Sequence, residues 1–292
     1  MDWFKANMVE GKGVIVHSRE RVPYPEVTGY FVSTLYDWGE DELARACTNW
    51  LISVQLPEGA FPAPDSVPYT FDTAQVMRGL CAAYAHGAPV AAALARAADW
   101  MLTQVDPDGR LRTPSTELWG SIASDLIHVY AIAPLMQAGG LLGRPRYEEA
   151  GRLALAYYKR QDGLVPFNRL SHFHAYAMEA LVELGERELA RRGMAEVERL
   201  QRRDGSIPAY PGVDWICSTG IAQYACVWYR LGARDRADRA MAYLERIQND
   251  TGGFFGSRGP GADYLPRAEI SWAVKYFLDA HHLKRAASTA HA

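Results

Sequence analysis

The chain is 292 residues long, 49% apolar, and carries a formal net charge of -3 with both signs interspersed. Such a chain can bury a large core, and the lack of a basic stripe excludes a nucleic-acid partner. The N-terminal MDWFKANMVEGKG has no apolar signal-peptide segment, no run approaches the roughly 18 apolar residues of a membrane span, and four scattered cysteines without CxxC spacing predict a reduced, cytoplasmic chain.

Residues 2–8 predict a short helix, followed by a glycine-punctuated extended piece through 14–16. Pro25 opens a helix over 26–38, because a proline's missing N–H costs nothing in a first turn, and Gly39 ends it. A helix over 40–54 follows, with Leu43, Cys47, Trp50, Leu51 and Val54 at helical spacing. The pattern then repeats. A Pro-rich loop leads to helices over 70–86 and 89–104, and the next pair spans 121–139, with Pro134 as a kink, and 147–160. Further pairs span 171–184 with 186–202, and 217–231 with 235–248. A last helix spans 266–283, and residues 286–292 are expected to be a disordered tail.

Five variants of one turn close the second helix of each pair: SVQLPEGAF, LTQVDPDGRL, YKRQDGLV, RLQRRDGSI and ERIQNDTGGFF. They are anchored by Gln55, Gln104, Gln161, Gln201 and Gln248. A loose period of about 40–55 residues marks a repeat architecture, read here as one domain over residues 1–292. The turn glycine accepts a left-handed backbone where the helix ends, and the acidic residue bonds the local backbone. The glutamines are read as structural, bonded to backbone at the junctions. The opening helices, such as AYAMEALVEL and IAQYACVWYRL, are apolar all round and belong inside; the closing helices, such as RELARRGMAEVERL, have a charged face and belong outside. Six inner and about six outer antiparallel helices make an all-α, (α/α)6 toroid with essentially no sheet, residues 1–25 closing it. A two-layer open solenoid is the alternative.

Connections into the inner helices are long and rich in aromatic and polar residues, whereas the opposite turns are short, around Gly39, Gly87, Gly185 and Gly232. Function is expected at the long-loop end. His172, His174, Tyr24, Glu26 and Asp72 are the candidate catalytic residues there. Tyr69, Trp119, Asp125, Tyr176, Asp214, Trp215, Arg267, Glu269, Trp272 and Lys275 are the candidate substrate-binding residues. Sugar faces are apolar and sugar edges hydrogen-bond, so aromatics with carboxylates suit a carbohydrate cleft. Purely structural roles compete with each. Asp72 and Asp214 suit a helix N-cap or first turn, Glu26 suits the first-turn dipole, and Trp215 and Trp272 suit the core. His172 and His174, at i and i+2, point apart on a helix. No Cys or carboxylate completes a ligand spacing with them, so no metal and no cofactor is expected. A buried Glu269 needs a partner, with Arg267 or Lys275 at hand.

The glutamine turn resembles the QW-type repeats of the prenyltransferase and squalene–hopene cyclase superfamily. The resemblance covers most of the chain and implies the toroid. It does not carry over the chemistry. The D-x-D-D acid motif of class II terpene cyclases is missing, since Asp106-Pro107-Asp108 is a turn. The Asp-x-Cys zinc pair of protein prenyltransferase β subunits is missing too: Asp214 and Cys217 are one residue too far apart, and ISWAVKYFL offers no matching His. YPEVTGYFVSTL and EISWAVKYFLDA look like small stand-alone repeat proteins of bacterial surface-polysaccharide loci, which implies a role in polysaccharide biosynthesis. The same toroid houses glucuronyl C5-epimerases, unsaturated-uronide hydrolases, polysaccharide lyases and sugar 2-epimerases, and fold alone does not choose among them.

The sequence therefore reads as an enzyme whose partner is a saccharide, an acidic glycan or its lipid-linked precursor; it leaves the oligomeric state open. In C5 epimerisation or β-elimination, a Tyr or His base removes the proton α to a carboxylate while Arg or Lys neutralises the developing charge. In hydrolysis, two carboxylates flank the glycosidic bond. Co-occurrence of His, Tyr and cationic residues favours the epimerase or lyase type. A glycoside hydrolase, a terpenoid-cyclase-like enzyme and a non-catalytic glycan- or peptide-binding toroid remain as alternatives.

Overall fold

A computed structural model of the chain describes residues 1–115 and 125–289. They divide into two compact units. The N-terminal unit holds Met8–Ile15 and Val22–Asp162; the C-terminal unit holds Met1–Asn7, Val16–Arg21 and the chain from Gly163 onward. The predicted Trp119 lies outside the described residues.

In the N-terminal unit, helices α2 (Pro25–Asp37), α4 (Thr70–Ala85) and α6 (Ile132–Leu142) pack consecutively, and α3 (Asp41–Val54), α5 (Ala91–Thr103) and α7 (Pro145–Tyr158) lie against them. The inner helices are buried on nearly every side, as their continuous apolar character demands. Glycines let α2 and α4 touch backbone to backbone: a Cβ on Gly79 would lie 2.5 Å from the Gly29 carbonyl oxygen. The expected kink at Pro134 takes another form. Residues His128–Ala131 wind as a 3₁₀ turn just before α6, and Pro134, which has no N–H to give to the preceding turn, is the third residue of α6.

The C-terminal unit repeats the arrangement. Inner helices α8 (Ser171–Glu183), α10 (Ser218–Leu231) and α12 (Ser271–Thr289) pack in succession, with α9 (Arg187–Leu200) on α8 and α11 (Arg234–Ile247) on α10. Leu181, Val227 and Val274, which the inner-helix assignment requires to be inside, are all buried. Two two-residue strands, β1 (Ile216–Cys217) and β2 (Ser257–Arg258), form the one antiparallel pair among the described residues. Helix α1 (Asp2–Asn7) and residues 16–21 attach here: the Trp3 indole N–H donates to Glu269 at 2.6 Å, and the Ser271 N–H donates to the Val16 carbonyl.

Two predicted boundaries are corrected. The last helix begins at Ser271 rather than 266, because Ile270 pairs with His17 and Glu269 with Phe255 in isolated antiparallel bridges that hold 269–270 extended. It also runs on to Thr289, so residues 286–289 are helical rather than part of a disordered tail. The sequence reading of apolar runs is corrected as well. Asp125–Leu142 is long and apolar enough to cross a membrane by length and composition alone, but Val129, Tyr130, Ile132 and Leu135 are buried within the unit, as in a core helix.

Three of the five glutamine turns share one feature, a bond from the glutamine amide to the carbonyl of the turn glycine. Gln55 donates to the carbonyls of Gly59, in its own turn, and Ala93, at the start of the next outer helix, at 2.8 and 2.9 Å. Gln201 does the same with Gly205 and Arg236 at 3.4 and 3.0 Å. Gly59 and Gly205 have φ of +106° and +92°, and a Cβ on either would lie 2.3 or 2.0 Å from the Arg96 or Arg239 carbonyl oxygen. Gln248 reaches Gly252 at 2.8 Å. Gln104 and Gln161 are the exceptions, donating to the Thr103 hydroxyl at 2.8 Å and to the Tyr157 carbonyl at 3.1 Å. Their turns hold one residue more and two residues fewer before the glycine than the other three, which puts the side chain out of register.

Candidate active site

Each unit carries a buried polar centre near the start of its inner helices. In the N-terminal unit, Pro25 sets the first turn of α2 and Tyr24 stands just before it. Asp72 is the third residue of α4. Packing of α2 on α4 brings the two together, and the Tyr24 hydroxyl donates a short hydrogen bond to Asp72 Oδ2. Asp72 Oδ1 has no hydrogen bond to a described residue. The carboxyl is fully buried, and burial pushes its pKa up to about 7; the Tyr24 hydrogen bond works the other way and the Asp65 charge adds to the rise. Glu26, in the first turn of α2, is the second buried carboxylate of this unit. Tyr69 is buried at the start of α4 and donates to Asp65 at 2.7 Å. Arg78 lies over the Tyr130 ring, 4.3 Å from its centroid.

Asp125 stands apart from that centre. It is exposed and receives two hydrogen bonds from Arg110, at 2.8 and 3.1 Å. His128 is buried, its Nδ1–H faces the Leu111 carbonyl at 3.1 Å, and burial lowers its pKa to about 4.

In the C-terminal unit, His172 and His174 diverge as an i, i+2 pair on a helix must. His174 is a core residue with both nitrogens engaged: Nε2–H donates to the Val165 carbonyl at 2.9 Å, and Nδ1 accepts from the Tyr224 hydroxyl at 2.8 Å. Burial lowers its pKa to about 3. His172 faces aromatic rings: Tyr176, Phe173, Trp272 and Tyr264 have centroids 4.4, 5.6, 5.9 and 6.2 Å away. Its Nδ1 is 2.6 Å from Gln223 Oε1, and Nε2 has no hydrogen bond to a described residue. Burial lowers its pKa to about 4, so it is a neutral imidazole at pH 7. Lys275 is buried beside this cluster, ion-paired with Asp279 at 2.8 Å and set over the Tyr276 ring.

The other predicted residues of this unit have different surroundings. Trp215 is buried edge-on to Tyr210, with Leu170, Ala209 and Cys217. Asp214 is exposed, its nearest cation Arg202 at 3.6 Å. Arg267 is exposed. Glu269 is buried, but its partners are neutral donors: Trp3 and Asn249 at 2.6 and 2.7 Å, and Thr251. Gln223, Glu179 and Arg230 belong to the His172 centre and were not singled out from the sequence. The available signal was a polar side chain inside an all-round apolar helix, as in AYAMEALVEL and IAQYACVWYRL. Among the described residues, no three His, Cys, Asp or Glu side chains gather as a metal-binding group.

No protein-family model matches the chain, and no curated protein matches it. Solved structures do. An alpha-amylase from Clostridium perfringens superimposes with a TM-score of 0.73 at 13% identity, over 97% of this chain and 96% of that one. The unsaturated glucuronyl hydrolase of Bacillus sp. GL1, described as responsible for glycosaminoglycan degradation, gives 0.70 at 14% identity, over 98% and 95%. A polysaccharide lyase gives 0.62 at 12% identity, over 92% and 91%. At such identities the likeness is one of fold: the chain is all-α, of the α/α-toroid class.

Proposed function

We propose that the protein is a carbohydrate-active enzyme that cleaves an acidic glycan by hydrolysis, with Asp72 as the proton donor. The observation that carries this is the buried Tyr24–Asp72 pair. A glycosidic oxygen leaves as an alcohol only if it is protonated, and the best donor has a pKa near the working pH. A carboxyl raised to about 7 by burial holds its proton at neutral pH. Because Tyr24 donates to Oδ2, the acid's own proton belongs on Oδ1. From there it passes to the leaving oxygen, while water attacks the anomeric carbon and gives its proton to a second carboxylate, for which Glu26 is the candidate. The amino-terminal ends of α2 and α4 meet here, and their partial positive charge suits an anionic sugar. Likeness in fold to polysaccharide hydrolases and a lyase supports the substrate class.

One observation favours a second reading. His172 presents a neutral imidazole nitrogen among aromatic rings with Lys275 nearby, the equipment for removing a proton α to a uronate carboxylate in β-elimination or C5 epimerisation. Incubation with uronic-acid oligosaccharides in heavy water separates the two. Shorter saturated chains, lost by about 10²–10⁴-fold in a folded Asp72→Asn variant, are expected. Unsaturated-uronide absorbance or deuterium at C5, undiminished in that variant and abolished in His172→Gln, would replace hydrolysis with the second reading.

A further inference from the structure

The polar groups behind His172 form a chain whose hydrogen-bond directions are forced. Arg230 donates to Glu179 Oε1 at 2.6 Å, a pair in which the carboxylate is buried and the guanidinium is partly exposed. Held as a carboxylate by that cation, Glu179 can only accept. Gln223 Nε2 stands 3.3 Å from Glu179 Oε2 and must donate to it. The opposite amide orientation would set two acceptors against each other. Gln223 Oε1 is thereby turned to His172, 2.6 Å from Nδ1, and an acceptor there requires Nδ1 to carry the proton. The remaining nitrogen, Nε2, is left with its lone pair and without a hydrogen bond to a described residue. Two residues on, His174 has the opposite tautomer, since its Nε2–H is committed to a backbone carbonyl.

We propose that Gln223 and Glu179, braced by Arg230, are positioning residues that fix His172 as the Nδ1–H tautomer, so that Nε2 is the acceptor presented to a proton of a saccharide held against the surrounding rings. The tautomer is a property of the protein without substrate. Only its chemical use rests on the second reading above.

Two-bond proton–nitrogen correlation spectra of histidine-labelled protein at pH 7 test this. The signal lost in His172→Gln identifies the residue, and the His174 pattern reports folding. Wild-type His172 is expected with its proton on Nδ1. Glu179→Gln, whose amide can donate as well as accept, and Gln223→Met are expected to shift it wholly or partly to Nε2–H while His174 is unchanged. Arg230→Gln, at a partly exposed position, carries the same test should Glu179→Gln fail to fold; Arg230→Lys keeps the charge and should keep the tautomer. An Nε2–H signal in the wild type, or an unchanged His172 in folded variants, would overturn the proposal. If the tautomer shifts as expected but His172→Gln retains full turnover, the positioning stands and the base-catalysis reading fails.

Discussion

Asp72 concentrates the account at the scale of a single residue. Its carboxyl is ionised in the unfolded chain above about pH 4, whereas in the folded protein it keeps its proton up to about pH 7. A carboxyl whose folded pKa is raised removes stability as pH climbs through that window, and the loss is complete above the folded pKa. Asn is close in shape to the protonated acid and still accepts from Tyr24. Asp72→Asn is therefore expected to match the wild type in thermal stability near pH 4 and to exceed it increasingly up to about pH 7, by on the order of 3–4 kcal/mol at the plateau. Melting curves across that range check this, and parallel curves would place the Asp72 pKa at its ordinary value. The residue was legible in the sequence as a first-turn acid, but its burial was not. That depends on Tyr24, 48 positions away, closing over it. Gln223 was less legible still, because its meaning rests on partners 51 and 44 residues distant.

Among the elements, the glutamine turns give the sharpest expectations. Gln201 bonds two backbone carbonyls, one across the junction to the next outer helix. Gln201→Ala should lower stability by about 0.5–1.5 kcal/mol without changing turnover. Gly205→Ala should do more, about 2–5 kcal/mol, since it combines a left-handed backbone with a Cβ only 2.0 Å from the Arg239 carbonyl oxygen. Denaturant titration of both variants ranks them, and a smaller loss for Gly205→Ala would show that the turn relaxes freely. These turns, the inner and outer helices and their order could be read from periodicity and from Gln and Gly spacing. Where reading failed, tertiary pairing overrode the local signal. Residues Glu269 and Ile270 continue the helical pattern of ISWAVKYFL, yet bridges to Phe255 and His17 draw them into extended backbone.

For the molecule as a whole, the buried histidines govern behaviour in acid. His128, His172 and His174 are lowered to about 4, 4 and 3. Each gains a proton on unfolding between the folded pKa and the unfolded value near 6.5, so each takes stability away as pH falls through that window. Asp72 acts in the opposite direction, releasing one proton on unfolding. Near pH 5 three gained against one lost leaves a net uptake of about two, with His281, also lowered by burial, adding a fraction. Stability should rise by about 2.7 kcal/mol per pH unit there. The dependence of calorimetric unfolding on pH measures the proton count, and an uptake near zero would mean that the histidines are not buried as neutral rings.

The most direct test of the proposed chemistry is the pH dependence of kcat/KM on a uronic-acid oligosaccharide for the wild type, Tyr24→Phe and Asp72→Asn. If Asp72 is the proton donor, wild-type activity falls along a limb near pH 7, where the acid ionises. Tyr24→Phe removes a hydrogen bond that favours the carboxylate and so moves the limb to higher pH, while folded Asp72→Asn loses about 10²–10⁴-fold at every pH. A limb that stays in place in Tyr24→Phe, together with full turnover in Asp72→Asn, would contradict the assignment.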